Sequence, residues 1–222
     1  MDSSETLQIK PDQLRQLTKL VRQGEGTHLE FKRRATSPDQ IVREMIAFAN
    51  SSGGILLVGV NDDGELPGVK YPQEESLVIK KAVVKYSRPH IIFTETVIKL
   101  SENKFVIQYE IPVSRKRPHV FRATNSKSET YIRLRDMSMK ASREMSEIVR
   151  RGKAGKNVQF TYGEHESALM RALQQRDKVT LSEFQILTGL QYKDAAEKLI
   201  TLVLANVLRI TPTEKGDFYS RV

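Results

Sequence analysis

Acidic side chains flank the stretch from Gly24 to Gly68, in which a polar segment, a helix signal and an apolar segment follow one another. Glu25 and Glu30 lie at its start, and Asp62 follows the apolar segment ILLVGV near its end. If the two outer segments form neighbouring strands, these carboxylates could meet across them. The stretch is therefore the first candidate for chemistry.

Local signals predict the elements that position these residues. The segment THLEFKRR alternates so that Glu30 and Lys32 share one face of a strand. Residues 38–50 are predicted as a helix, with Ser37 as N-cap and Gln40 completing a capping box. The segment ILLVGV is apolar without alternation, which is typical of a central strand covered on both faces.

Further along the chain, the apolar pattern predicts helices at 11–23, 74–88 and 142–151, a hairpin over 91–111 and a strand pair over 119–135. The glycine-rich, basic segment RGKAGKN predicts a domain boundary, and three helices with a terminal hairpin after it are typical of a winged helix. We therefore expect an α+β protein. A mixed β-sheet flanked by helices would occupy residues 1–151, a linker 152–161 and a small winged-helix-like domain 162–222.

The basic residues are concentrated in one segment. Between Ile111 and Lys156 there are 13 Lys and Arg against 4 Asp and Glu, a difference of +9 that equals the net charge of the 222-residue chain. Clustered cations favour a polyanionic partner, because neutralising phosphates releases counterions. The alternative is a solvated basic face without a partner. We expect nucleic-acid contacts from Lys32, Arg115, Lys116, Arg117, Arg122, Lys127, Arg133, Arg135 and Lys140.

Aromatic rings accompany these cations. In SRKRPHVFRA, basic residues surround His119 and Phe121, which could offer stacking surfaces beside phosphate contacts. In YIRLRDM, Tyr131, Arg133 and Arg135 alternate onto one strand face. Aromatic residues in strands are more often part of the core, so the expectation rests on the cations.

Four ordered motifs closely resemble the Schlafen-type AlbA-like domain: GEGTHLEFK, AFANSSGG, LLVGVNDDGELPGV and YIRLRDMS. The resemblance covers approximately residues 10–150. This domain is common in bacterial DNA-binding regulators and in the core of Schlafen proteins, and a following winged helix fits the bacterial arrangement. The resemblance implies a mixed sheet flanked by helices and a nucleic-acid-binding protein, more narrowly a bacterial DNA-binding transcription regulator.

In Schlafen ribonucleases, as the resemblance implies, two glutamates and an aspartate form a metal-dependent nuclease centre, and they match Glu25, Glu30 and Asp62. Such carboxylates would bind Mg²⁺ or Mn²⁺, which stabilises charge developing on a phosphate. The alternative is structural: Glu30 and Lys32 pair with neighbouring strands, and Asp62 caps its own turn. A metal-dependent endoribonuclease acting on structured RNA is the second hypothesis.

Several classes of protein are disfavoured. The chain has no cysteine, which excludes disulfides, thiolate metal sites and a cysteine nucleophile. The polar N-terminus and the lack of a long apolar run predict a cytoplasmic protein without membrane contact. The glycines of NSSGG close a helix instead of opening one, which argues against ATP binding and hydrolysis.

The C-terminal segment is electrically neutral, with 8 basic and 8 acidic residues from Tyr162 to Val222. Its expected recognition helix, QYKDAAEKLITLVLAN, has few of the side chains that read a duplex. Dimerisation or protein docking suits it at least as well. A protein-interaction scaffold, with a homodimer as one form, is therefore the third hypothesis.

Overall fold

The structure is a computed structural model that describes residues 8–123, 127–152 and 158–222. It divides into two compact units, Met1–Lys140 and Ala141–Val222. The division precedes the boundary predicted at residue 151, because the helix that follows residue 142 packs against a helix of the second unit. Within the predicted linker, residues 153–157 lie outside the described part of the chain.

The first unit contains three helices: α1 (Pro11–Val21), α2 (Pro38–Asn50) and α3 (Pro72–Tyr86). Its strands are β1 (Leu29–Lys32), β2 (Gly54–Val58), β3 (Ser87–Arg88), β4 (Thr94–Ser101), β5 (Lys104–Ile111), β6 (Val120–Phe121), β7 (Glu129–Leu134) and β8 (Met137–Lys140).

These strands form two sheets. One sheet is mixed, with the order β1-β2-β5-β4, in which β1 and β2 are parallel and the other pairs antiparallel. The other is antiparallel, with the order β3-β6-β7-β8. The α+β class is confirmed. The sequence did not predict β3 and β8, because strands of two and four residues are too short for an alternating pattern to stand out.

Helices cover both faces of the mixed sheet. On one face, α1 places Leu17 in a cluster with Leu57 of β2. On the other face, Leu56 and Val58 of the same strand pack in a cluster with Phe48 of α2. Because alternate residues of β2 enter different clusters, this strand is apolar throughout, as the sequence predicted.

Helix α2 lies in the core of the first unit, where it contacts strands of both sheets. It begins at Pro38, but Ser37 makes no side-chain capping bond, so the predicted capping box is wrong. The helix ends at Asn50, and Gly53 follows with a left-handed φ of +72°. A Cβ atom on Gly53 would lie 2.9 Å from the Ile111 carbonyl oxygen, so this turn requires glycine.

The second unit contains α4 (Arg143–Arg151), α5 (Glu164–Gln175), β9 (Val179–Thr180), α6 (Leu181–Thr188), α7 (Tyr192–Leu204), β10 (Leu208–Thr211) and β11 (Phe218–Arg221). Its strands form an antiparallel sheet with the order β10-β11-β9. Phe184, Leu199 and Tyr219 anchor its core. No helix within the described ranges is both long enough and apolar enough to cross a membrane.

Candidate nucleic-acid interface

The three predicted carboxylates lie around β1 and the turn that follows β2. Glu25 precedes β1, and its Oε1 accepts a hydrogen bond from the Phe31 amide at 2.8 Å. Glu30 lies within β1 and is buried, whereas Asp62 lies beyond β2 and is exposed. The three are close enough to interact electrostatically, since both Glu30 and Asp62 act on the charge of Glu25.

Glu30 belongs to a buried network of ion pairs. Its Oε2 is 2.7 Å from a guanidinium nitrogen of Arg133, and its Oε1 is paired with the ammonium group of Lys32. A second guanidinium nitrogen of Arg133 lies 2.9 Å from Oε2 of Glu44, an oxygen that also accepts a hydrogen bond from Ser138. We call Glu30, Lys32, Glu44, Arg133 and Ser138 the buried network.

Arg133 links the two sheets of the first unit. Its side chain is 1% exposed and reaches from β7 to β1, where it donates to the carbonyl of Gly26 at 2.9 Å and to that of Leu29 at 3.3 Å. The guanidinium carbon lies 4.9 Å from the centre of the Phe48 ring. These contacts satisfy the group completely, so Arg133 does not lie on the basic surface that the sequence predicted.

Burial changes the acidity of two carboxyls in this region. Burial raises the pKa of Glu44 above its usual value, and the neighbouring charge of Glu30 raises it further. Burial also raises the pKa of Glu25, although the hydrogen bond from Phe31 opposes the shift. Both carboxyls are therefore less readily ionised than exposed glutamates.

The buried network does not fit a divalent cation. Mg²⁺ and Mn²⁺ need free carboxylate oxygens, but both oxygens of Glu30 are already paired with cations. Over the described ranges, no group of three or more His, Asp or Glu side chains is arranged to hold a metal. The carboxylates therefore have the structural arrangement that was the alternative to a nuclease centre, and we derive no hydrolytic step from them.

The other predicted cations differ in availability. Five of them are exposed and form no ion pair within the described residues: Arg115, Lys116, Arg122, Lys127 and Arg135. Arg117 is half-buried. Lys140 is exposed but lies 2.6 Å from a carboxylate oxygen of Glu129.

Strand register distributes these cations over different parts of the antiparallel sheet. Phe121 lies opposite Glu129, so Arg122 and Lys127 lie near the same end of β6 and β7. Lys140 is opposite Tyr131, close to that end. Arg135 lies in the turn after β7, at the opposite end, and has a positive φ of 56°. It therefore does not alternate with Tyr131 along the strand, as predicted.

The aromatic rings of this segment are part of the core. Phe121 is buried and stacks on Tyr86 with ring centres 5.2 Å apart. The guanidinium carbon of Arg43 lies 4.5 Å from the Phe121 ring and 5.9 Å from that of Tyr131. These rings are occupied by protein contacts, so the cations remain the candidates for a nucleic-acid contact.

A buried histidine fixes the loop that carries Arg115 and Lys116. The Nδ1 atom of His119 lies 2.7 Å from the Pro89 carbonyl oxygen, and its Nε2 lies 2.6 Å from Oγ of Ser114. The His119 amide in turn donates to Oδ1 of Asn50 at 2.7 Å. The sequence gave no motif for this arrangement, because its partners are far apart along the chain.

Two further cations escaped the sequence analysis. Arg33 and Arg34 follow β1, are exposed and form no ion pair within the described part of the chain. Together with Lys32 and Thr36 they line an open cavity of about 450 Å³. The run of three basic residues in FKRR could have identified them.

In the second unit, helix α7 makes its polar contacts with α4. Arg151 donates to both carboxylate oxygens of Glu197, at 2.5 and 2.7 Å. The Tyr192 hydroxyl donates to a carboxylate oxygen of Glu144. Part of the polar face of α7 is therefore committed within the unit.

Comparisons with known proteins give a family and a distant structural likeness. A family model described as "Schlafen, AlbA_2" matches residues 25–142. No protein with a curated description matches the chain. The NMR structure of the N-terminal domain of a RecG-related protein, named as an ATP-dependent DNA helicase, from Nitrosomonas europaea has 22% identity and a TM-score of 0.38. It covers 53% of this chain and 88% of that one.

A second similar structure is the DIP2311 protein from Corynebacterium diphtheriae, with 15% identity and a TM-score of 0.45. It covers 94% of this chain, whereas the chain spans 38% of that protein.

Proposed function

Because the chain belongs to the Schlafen, AlbA_2 family, we propose that it binds nucleic acid through exposed cations of its first unit. The observation that carries this proposal is the availability of Arg115 and Lys116, which are exposed and without ion pairs on a loop fixed by His119. Cations that have no internal partner are free to neutralise phosphates, which drives association by counterion release.

Other exposed cations extend this basic surface. Arg122 and Lys127 supply two charges at one end of the antiparallel sheet, and Arg33 and Arg34 supply two beyond β1. Phosphate contacts of this kind position a strand without reading its bases. Binding is therefore expected to be largely independent of base sequence. The narrower function is that of a bacterial DNA-binding transcription regulator, acting with this electrostatic contact.

Charge reversal of the loop tests the proposal. The triple variant Arg115→Glu, Lys116→Glu, Arg117→Glu is expected to lose nucleic-acid affinity by a similar factor for every base sequence, measured by mobility shift at low salt. The matched control reverses three exposed cations on α1: Arg15, Lys19 and Arg22. Both variants have the same net charge, so equal losses would show that the loop has no special role. Absence of binding by the wild type would refute the proposal itself.

The second unit suits protein contacts better than duplex reading. Its order of elements, helix, strand, two helices and two strands, supports a winged-helix interpretation. However, Glu197 and Tyr192 of α7 are engaged by α4, and the segment from residue 162 has no net charge. We propose that this unit mediates association of two chains.

The exposed apolar residue Ile186 on α6 supplies a test of this assembly, since it is 84% exposed. Light scattering is expected to give a dimer mass for the wild type and a monomer mass for Ile186→Asp. A monomeric wild type would contradict the proposed dimer without affecting the nucleic-acid proposal.

A further inference from the structure

An apolar cavity of about 310 Å³ lies beside the basic loop of the first unit. One wall is the segment between β3 and β4, with His90, Ile91 and Ile92. The other wall follows β5 and includes Pro112 and Val113. The volume falls at the lower end of the range of roughly 300–1,000 Å³ found for small-molecule sites.

Apolar side chains at this cavity are unusually accessible. Ile92 is 72% exposed and Val113 is 44% exposed. A single exposed apolar residue is ordinary, but neighbouring ones around a concave surface are typical of a binding site.

The cavity also has a cationic edge, because Arg115 and Lys116 belong to its lining. Both residues are exposed, and neither forms an ion pair within the described ranges. A complementary ligand therefore combines an apolar body with negative charge next to it. A nucleotide unit of a single strand has this combination, since its base has an apolar π-face and its phosphates are charged.

Hydrogen bonds hold the two walls in place. The Ser114 amide donates to the carbonyl of Ala49 at 2.9 Å, which attaches the second wall to α2. Because a carbonyl oxygen only accepts, Nδ1 of His119 donates to Pro89, and Nε2 accepts from the Ser114 hydroxyl. His119 thus joins the segments before His90 and after Val113, and the cavity is formed without a ligand.

We infer that this cavity binds an unpaired nucleobase, while phosphates of the same strand contact Arg115 and Lys116. The inference rests on the proposed function and adds a substrate class, namely single-stranded nucleic acid. The imidazole of His90 and the aliphatic side chains provide surfaces against which a base can stack. Few polar groups line the cavity, so any base is accepted. A base inside a duplex is stacked and paired, and it does not reach the cavity.

An abasic strand tests the inference directly. Affinity is measured by fluorescence anisotropy for a single strand of mixed sequence and for a strand of the same length that carries abasic sugars at internal positions. The two have equal phosphate charge. The intact strand is expected to bind about tenfold more tightly, which is within the range for loss of one stacked base. Equal affinity would overturn the inference and leave the phosphate contacts intact.

A matched pair of variants locates the effect. Ile92→Ser with Val113→Ser removes apolar surface from the cavity without changing charge, and Val84→Ser does so on α3, where Val84 is 61% exposed outside the cavity. The double variant is expected to bind the intact strand about tenfold more weakly and the abasic strand unchanged. The control is expected to bind both strands like the wild type.

The outcomes separate the two proposals. An intact-strand affinity that is equal in the double variant and the wild type would overturn the cavity assignment. A parallel loss for intact and abasic strands would also overturn it, because the cavity would then act on the phosphates alone. If the wild type binds no strand at low salt, the proposed function itself fails.

Discussion

Arg133 and Arg115 come from the same basic segment, yet the fold uses them in opposite ways. Arg133 is buried between two sheets and is bound by Glu30, Glu44 and two carbonyl groups. Arg115 lies on an exposed loop without an ion pair in the described structure. The charge of a segment therefore does not say how many of its cations are available to a partner.

What separates the two arginines is their place in the chain topology. Arg133 lies on β7, which packs against α2, so its side chain must find partners inside the protein. Arg115 follows β5 in a loop, where water can solvate the guanidinium until a phosphate replaces it. The first arginine stabilises the fold, and the second is free to bind.

The largest expected effect is on stability. Arg133→Met leaves Glu30 and Glu44 buried without their cation, and breaking a buried ion pair on one side costs about 3–5 kcal/mol. Urea denaturation of the two proteins measures the difference in free energy of unfolding. The control Arg135→Met changes an exposed residue nearby and is expected to stay within about 0.5 kcal/mol of the wild type. Equal stability of both variants would contradict the structural role of Arg133.

Much of the first unit could be predicted from sequence, because strong local signals coincide with its elements. Pro38 and the glycines after Asn50 delimit α2 at the predicted residues, and the apolar run of β2 matches its burial. The partners of Arg133 could not be predicted, since Glu30 and Glu44 are distant in the chain and meet only through sheet packing. The same holds for His119 and Asn50.

The next effect concerns affinity. Arg33→Glu with Arg34→Glu is expected to weaken binding and to reduce the steepness of its salt dependence by about two, one for each phosphate contact. Stability is expected to remain unchanged, because neither side chain has an internal ion pair in the described residues. Anisotropy titrations over a range of salt concentrations measure this slope. A slope like that of the wild type would exclude these two cations from the interface.

A smaller effect concerns pH. The folded-state pKa of Glu44 is raised above the value of 4.5 expected in the unfolded chain, so between these values the folded protein binds more protons. The stabilisation is complete below pH 4.5 and is lost as the pH rises through the folded-state pKa. Glu44→Gln removes this dependence. The free energy of unfolding of the wild type, relative to the variant, is therefore expected to fall as the pH rises above 4.5.

The smallest expected effect is none at all. Asp62→Asn changes an exposed carboxylate of the predicted nuclease centre without disturbing the buried network. Incubation of wild type and variant with transfer RNA and Mn²⁺ is expected to give equal cleavage, including none. Cleavage that depends on Asp62 would show that the carboxylates act as a metal centre after all.

The availability of the loop cations is tested most directly by the salt dependence of single-strand binding for the full chain and its Arg115→Glu, Lys116→Glu, Arg117→Glu variant. The logarithm of the association constant is expected to fall linearly with the logarithm of salt concentration, with a slope of about −0.7 for each phosphate neutralised. The variant is expected to have a distinctly shallower slope. Identical slopes for both proteins, or binding that does not respond to salt, would contradict the assignment of these cations to phosphate contacts.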